Sequence, residues 1–229
     1  MRSDPTGYWS KALGFGARGP VNEESVAEVV SFFQQTNVAR GNIAIAPAFL
    51  PENWEEVRSL HELNVSSTWV KLASPIAFAG RPGVSASTDF AVKQLGASDA
   101  ATWGATWGLI VREGFQSELP LTPLLKAVLD NPAARVFGAW DEDRLIGAGA
   151  VNFVGHIACL TTGETLPSQR RRGVQAALIA ARVRAAAEAG CTIVTAETAS
   201  GGQAVASYRN FTRAGFAPQY ERANWLWTA

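Results

Sequence analysis

One short stretch, Leu166–Ala176, restricts the fold more than any other part of the sequence. Pro167 has no amide to donate to a β-ladder, so a strand that precedes it must stop pairing there. A pattern of apolar residues at helical spacing then runs from Arg171 to Glu188, and Gly190 is expected to cap its end. The stretch therefore predicts a strand, a tight loop and a helix in immediate succession.

The loop between this strand and this helix is predicted to bind an anion. The first amides of a helix have no partner within the helix and lie at the positive end of its dipole. Gly173 has no side chain, so an anion can approach the main chain closely. The three arginines 170–172 oppose the dipole, which favours a bound anion over the alternative of a solvated basic helix start. These features together suit a pyrophosphate.

The C-terminal half around this stretch predicts an α/β domain. Before the loop, periodicity predicts strands at 88–95, 134–140, 145–153 and 156–162, with helices at 98–112 and 120–130. After the helix that ends at Gly190, it predicts a strand at 191–196, a helix at 203–213 and a closing strand at 219–227.

The first half of the chain predicts a similar but shorter order of elements. These are a helix at 24–35, a strand at 42–47, a helix at 51–62 and a strand at 68–72. Their spacing resembles that of 171–227, so residues 22–73 are predicted to be a diverged copy of that segment. The Gly-, Pro- and Ser-rich segment 81–88 is the predicted linker, which gives two domains, 1–80 and 87–229.

The composition excludes several classes of function. The formal net charge is 0, so no overall field attracts nucleic acid or an anionic membrane. Two cysteines and two histidines supply a disulfide framework, a zinc site or a Ser-His-Asp triad poorly. No Gly-x-Gly-x-x-Gly opens a helix and no Gly-Lys-Ser/Thr occurs, which excludes dinucleotide and P-loop enzymes. Without a signal peptide or a membrane-spanning run, the expectation is a cytoplasmic protein that binds neither membrane nor nucleic acid.

The sequence Thr165–Gln175 resembles the acetyl-CoA signature of the GNAT acetyltransferase superfamily, a strand followed by Pro-x-x-Arg-x-x-Gly-x-Gly/Ala. Phe211–Phe216 resembles the family's Tyr-x-x-x-Gly-Phe, and the predicted order over 88–227 resembles the GNAT order. The resemblance implies a GNAT fold, with a mixed central sheet flanked by helices. The first half then resembles a truncated GNAT copy, with Leu60–Val65 in place of Tyr-x-x-x-Gly-Phe and no cofactor expected there.

The resemblance also implies that acetyl-CoA is the cosubstrate and that no metal is needed. The end of the strand, with Glu164, Thr165 and Leu166, would pair with the pantetheine arm, and the Leu166 amide would be an oxyanion donor. Gln175 stands where the family has Gly or Ala, so its side chain must point away from the phosphates. The main-chain amides expected at the pyrophosphate are those of Arg171, Arg172, Gly173, Val174, Gln175 and Ala176.

Catalytic residues are also implied by the resemblance. Phe211, expected to line the cofactor site, occupies the position of the tyrosine that commonly protonates the leaving thiolate, and a phenyl ring cannot do so. A thiol with a pKa of about 8.5 can leave near neutral pH without that acid. Tyr208, one turn earlier, is either a substitute acid or an exposed or half-buried helix residue. The candidate bases are Glu164 and Glu197, whereas His156 is expected to be structural.

The acceptor is expected to be a primary amine of a small molecule. Trp103 and Trp107 share one face of the first helix of the C-terminal half, which borders the acceptor site in the family, although core packing is an alternative role. Two functions remain open: an N-acyltransferase that transfers acetyl, and an acyl-CoA-binding module with weak or no catalysis. The closing strand 219–227 could pair with a second copy to form a homodimer.

Overall fold

A computed structural model describes residues 10–80, 89–106, 122–200 and 204–229. The strands are β1 (Lys11–Ala12), β2 (Arg40–Ala44), β3 (Asn64–Pro75), β4 (Ala91–Gln94), β5 (Ala134–Asp141), β6 (Arg144–Val154), β7 (Ile157–Thr165), β8 (Ile193–Ala199) and β9 (Ala217–Thr228). The helices are α1 (Glu23–Gln35), α2 (Trp54–Leu60), α3 (100–106), α4 (Thr122–Leu129), α5 (Val174–Glu188) and α6 (Ala204–Arg213). Short 3-10 turns occupy Pro47–Phe49, Ala97–Asp99 and Pro167–Gln169.

The chain divides into two compact units that do not follow chain order. The N-terminal unit contains Met1–Lys71 together with Thr198–Ala204 and Gln219–Ala229. The C-terminal unit contains Leu72–Glu197 and Val205–Pro218. Strand β9, the last of the sequence, therefore belongs mostly to the N-terminal unit. The predicted linker 81–88 lies outside the described residues, so the domain boundary remains a prediction.

The C-terminal unit is built on strands in the order β8-β7-β6-β5-β4. The pair β7 and β8 is parallel, whereas β4, β5, β6 and β7 pair antiparallel with one another. Helix α5 packs on this sheet, and its Val174 and Leu178 form a buried cluster with Ile146 of β6. A mixed sheet with packed helices confirms the predicted α/β fold class.

The N-terminal unit has its own core. Its strands lie in the order β1-β2-β9-β3, with β1 and β2 parallel and β2 and β9 antiparallel. Phe33 of α1 packs on Trp227 with ring centroids 5.8 Å apart, and Trp54 of α2 packs edge-on against Trp225 at 5.1 Å. The order α1-β2-α2-β3 is that of α5-β8-α6-β9, as the predicted duplication requires, but common ancestry of the two segments remains a prediction.

Several predicted boundaries differ from the structure. Helix α5 begins at Val174 rather than at Arg171, because Arg171 and Gly173 adopt left-handed φ angles of 67° and 85°. The cap at Gly190 is confirmed: its φ is 77° and its amide donates to the Ala187 carbonyl. Strand β2 ends at Ala44, short of the predicted 47, and β3 is longer than the predicted 68–72.

Candidate functional site

Strands β7 and β8 pair over only part of their length. The parallel register runs from Ile157↔Ile193 to Leu160↔Ala196, whereas β7 continues to Thr165 and β8 to Ala199. Beyond Leu160, β7 also shifts its register with β6, and Thr162 adopts a φ of 47° at this bulge. The far end of β7, residues 161–165, therefore pairs with β6 but has left its ladder with β8. We call the space along this unpaired edge of β7 the β7–β8 gap.

The main chain of Thr165 faces the β7–β8 gap. Thr165 lies opposite Gly147 of β6, and the next amide, that of Leu166, donates to the Ile146 carbonyl at 2.9 Å. Because main-chain groups alternate in direction along a strand, the N–H and C=O of Thr165 point away from β6. The predicted oxyanion donor, the Leu166 amide, is thus already paired, and the prediction is wrong on this point. The Thr165 amide is the one that faces the gap.

The loop after β7 leads into a helix start without a side-chain cap. Pro167–Gln169 form a 3-10 turn, and the left-handed Gly173 is the N-cap of α5, with no side-chain hydrogen bond to the helix amides. The Ala177 amide donates to the Gly173 carbonyl at 3.0 Å, the first helical bond of α5. The three preceding amides therefore have no carbonyl within the helix to bond. They belong to Val174, Gln175 and Ala176, as an anion site requires.

The three arginines of the loop have different surroundings. The Arg172 guanidinium donates to Asp141 at 2.7 Å and lies 3.9 Å from Asp89. The hydrogen bond to Asp141, with the charges of both carboxylates, raises the pKa of Arg172 despite some desolvation. Arg172 therefore anchors the loop to the end of β5, and its charge is matched by carboxylates. Arg170 and Arg171 are exposed and are better placed to meet a dissolved anion.

Gln175 is held against β7. Its side-chain amide donates to the Thr165 hydroxyl at 2.8 Å, and its oxygen would lie 3.3 Å from a Cβ atom added at Gly163. The side chain is thus committed to the strand, which leaves the Gln175 main-chain amide as the group at the helix start. Gln in place of Gly or Ala is compatible with the predicted anion site for this reason.

Glu164 is a buried carboxyl at the end of β7. Its Oε1 accepts a hydrogen bond from the Trp103 indole at 2.7 Å, and its Oε2 is buried without a hydrogen-bond partner among the described residues. Burial raises the pKa of Glu164 to about 8, against the opposing effects of the Trp103 hydrogen bond and the Arg182 charge. The carboxyl is therefore mostly protonated at neutral pH and ionises in mildly basic solution, within the range of a general base.

The other predicted site residues lie on neighbouring elements. Phe211 of α6 is buried, and its ring packs edge-on against Phe216 at 5.2 Å. Tyr208 is half-buried on the same helix, and Glu197 is half-buried within β8 rather than after it. Trp103 is fully buried, which fits the packing role and adds the bond to Glu164. Trp107 lies outside the described residues.

Two residues that organise the site were not predicted from the sequence. Asp141 lies between the strands predicted at 134–140 and 145–153, and Arg182 lies in a helix predicted from its apolar residues. The spacing did contain a signal for Arg182. It follows Val174 and Leu178 at intervals of one helical turn, so an arginine continues the buried face.

A cavity of about 430 Å³ opens beside the end of β7. One wall is α3, with Thr102, Ala105 and Thr106, and another is the start of β6, with Leu145. Leu166 joins these walls to the loop before α5. Its remaining lining residues are Asp143 and Arg144.

Neither a metal centre nor a membrane span is found in the part of the chain that the structure describes. No group of three or more histidine, cysteine or acidic side chains there could hold a metal ion. No helix there is long and apolar enough to cross a bilayer.

Comparison with known proteins identifies the family. The profile of the acetyltransferase (GNAT) family matches residues 101–216, about half of the chain, which includes the whole loop before α5. The chain belongs to the GNAT acetyltransferase family. The resemblance read from Thr165–Gln175 and Phe211–Phe216 is therefore confirmed at the level of the family.

Solved structures show the GNAT fold over nearly the whole chain. A GCN5-related N-acetyltransferase from Kribbella flavida is 16% identical, with a TM-score of 0.63 over 95% of this chain and 80% of that one. An acetyltransferase of the GNAT family from Colwellia psychrerythraea is 15% identical, with a TM-score of 0.60 over 92% and 75%. At such identities the likeness is one of fold alone. No curated protein matches this chain.

We predict that the free energy of unfolding of Glu164→Gln, relative to that of the wild type, increases as the pH rises. The carboxyl ionises near 4.5 in the unfolded chain and near 8 in the folded protein, so the wild type loses stability across that window. A glutamine cannot ionise, and its oxygen can still accept the Trp103 bond. Urea unfolding of both proteins across this pH range measures the difference. A difference that stays constant from pH 4.5 to pH 8 would show that Glu164 is not a buried titrating group.

Proposed function

We propose that this protein is an N-acetyltransferase that transfers the acetyl group of acetyl-CoA to a primary amine of a small molecule. One observation carries the proposal: the uncapped start of α5 directly follows the end of β7, where the pairing with β8 has stopped. An anion site and an unpaired strand edge in immediate succession suit a ligand with a charged end and an extended, amide-bearing arm. Membership of the GNAT family supports acetyl-CoA as that ligand.

The residues of the loop and strand divide the binding between them. The amides of Val174, Gln175 and Ala176 would bind the pyrophosphate at the positive end of the α5 dipole. Arg170 and Arg171 would add charge from the solvent side. The N–H and C=O of Thr165 would bond the amides of the pantetheine arm across the β7–β8 gap. Of the six amides predicted at the pyrophosphate, this assignment uses the three that start α5, and it gives the strand contact to Thr165.

Bound acetyl-CoA supplies an acetyl group activated as a thioester. The amine nitrogen must lose a proton to form the amide bond while the carbon–sulfur bond breaks. The Glu164 carboxylate is the proposed acceptor of that proton, and its raised pKa makes it a stronger base than an exposed glutamate. The departing sulfur takes a proton from water or from Tyr208, since Phe211 has none to give.

We assign the acceptor to the cavity beside α3. Leu166 lines it and directly follows Thr165, so an amine bound there approaches the end of β7 from the side of α3. The hydroxyls of Thr102 and Thr106 and the carboxylate of Asp143 offer hydrogen-bond acceptors for an ammonium group or its neighbours. An apolar wall with a few polar groups is typical of sites for small molecules.

An acyl-CoA-binding module with weak or no catalysis is the second candidate. It is favoured by Phe211, which packs against Phe216 and has no proton to donate at the position where the family commonly has a donor. It is also favoured by the neutral state of Glu164 at pH 7. Both candidates require acetyl-CoA binding, and only the first requires turnover.

For binding, we predict that acetyl-CoA raises the Tm of the wild-type protein and that Gly173→Glu abolishes this rise. A carboxylate at 173 repels the pyrophosphate and occupies the space beside the helix amides. Gly155→Glu is the matched control, because Gly155 also has a positive φ, of 56°, in the turn between β6 and β7, and no atom lies within 4 Å of an added Cβ. An equal Tm rise in the Gly173 variant and the control would refute the site.

For turnover, we predict thiol release from acetyl-CoA with at least one member of a panel of small primary amines. The kcat/KM should increase with pH through about 8 as Glu164 ionises, and Glu164→Gln should lower it by about a hundredfold or more. Tyr208→Phe tests the substitute acid, with a fall in kcat expected only if Tyr208 protonates the thiolate. Tight acetyl-CoA binding with no turnover on any amine would favour the second candidate.

A further inference from the structure

Arg182 is a charged residue enclosed by the C-terminal unit. It lies on α5 and is 1% exposed. Its Nε donates to the Leu178 carbonyl of the same helix at 3.0 Å. Its Nη1 donates across to two strands, to the Ala150 carbonyl of β6 at 3.3 Å and the Thr161 carbonyl of β7 at 3.2 Å. The guanidinium therefore joins the helix to both strands of this pair.

Two glycines provide the space for this guanidinium. A Cβ atom added at Gly149 of β6 would lie 2.7 Å from the Arg182 Cζ, closer than real contacts allow. A Cβ at Gly163 of β7 would lie 3.5 Å from its nitrogen atoms. Both strands thus lack a side chain where the arginine head enters, and an alanine at 149 would displace it.

The carbonyls that Arg182 binds mark the bulge of β7. Ala150 pairs with Thr161, and after the shift Ala148 pairs with Glu164. Side chains and main-chain groups alternate along a strand, so loss of the extra residue would reverse both beyond that point. The bulge therefore decides that the Thr165 main chain faces the β7–β8 gap and that the Glu164 carboxyl reaches Trp103.

We propose that Arg182 is a positioning residue that fixes the bulge of β7 and presents its buried charge to the Glu164 carboxyl. The inference rests on the proposed function of the same site, because that function assigns the pantetheine arm to the β7–β8 gap and the role of base to the Glu164 carboxyl. Arg182 touches neither substrate in this assignment. It acts through Thr165 and Glu164.

Within the described ranges, the elements around Glu164 bring one charged group to it. Helix α3 contributes the neutral indole of Trp103, β6 contributes Ala148 opposite it, and α5 contributes Arg182. Burial lowers the pKa of Arg182 to about 10, so the guanidinium keeps its charge at neutral pH. Without that charge, ionisation of Glu164 would place an uncompensated carboxylate in the interior.

The experiment compares Arg182→Met and Arg182→Lys with Arg184→Met. Arg184 lies on the same helix but is exposed, so its variant controls for the loss of one positive charge. Each variant is prepared with Glu164 and with Glu164→Gln, and the free energies of unfolding of the two proteins are compared across pH. The pH range over which their difference changes is called the Glu164 window. This readout needs neither acetyl-CoA nor turnover. The acid limb of kcat/KM and the Tm rise with acetyl-CoA are measured in parallel.

In the Arg182→Met background we expect the upper end of the Glu164 window, which the folded-state pKa sets, to rise by about one pH unit, and the acid limb of kcat/KM to rise with it. The lower end, which the unfolded chain sets, should stay in place. Arg182→Lys should retain most of the wild-type window, and Arg184→Met all of it. A window unmoved by Arg182→Met, even with lower stability, would overturn the proposal. If Arg182→Met does not fold, Gly149→Ala displaces the guanidinium instead and should move the window in the same direction; an unmoved window there would overturn the proposal equally. A moved window in a protein that neither binds acetyl-CoA nor acetylates would refute the proposed function and leave the link between Arg182 and Glu164 standing.

Discussion

The site depends on one constraint in the sheet, namely that β7 leaves its parallel ladder with β8 after Leu160 while its ladder with β6 continues to Thr165. Main-chain groups that leave a ladder must find other partners or face solvent. Here they face the β7–β8 gap, immediately before a loop that opens a helix without a side-chain cap. In the protein alone, this strand edge has no neighbouring strand in the described part of the chain, and the first amides of α5 have no acceptor within the helix. An extended ligand with an anionic end completes both, which is why the proposed function follows from the main chain more than from any side chain.

Two groups of paired charged side chains in the candidate site have different tasks. Arg172, Asp141 and Asp89 lie at the partly exposed loop, where an ion pair contributes little stability but restricts where the loop sits. Glu164 and Arg182 lie in the interior, where each charge is costly and depends on the other. In the proposed function, the first group shapes the anion site, and the second sets the pH at which Glu164 would act as a base. The proposal thus gives binding and transfer separate electrostatic controls.

The sequence predicted the parts of this site that follow from local rules. Pro167 ends a strand, Gly173 precedes a helix and Gly190 ends one, and each is a property of a single residue type. It could not predict that Arg171 would be left-handed, that Thr165 rather than Leu166 would face the gap, or that Arg182 would lie inside. The bulge at Thr162 sets which way the side chains and main-chain groups of β7 point after it. A single extra residue in a strand is hard to detect from the alternation of apolar and polar residues. Gly149 and Gly163 were the available sequence signal for the buried arginine, since glycines in neighbouring strands leave room for a side chain from another element.

Amide hydrogen exchange with and without acetyl-CoA is the most direct test of the central claim, because the claim concerns main-chain donors. Acetyl-CoA should slow exchange at the amides of Val174, Gln175 and Ala176 and at Thr165. The Leu166 amide, already bonded to Ile146, should change little. The start of α1 is an internal reference, because Asn22 and Ser25 already cap it and it should not respond. Unchanged exchange at 174–176 under saturating acetyl-CoA, or protection confined to another part of the chain, would contradict the account.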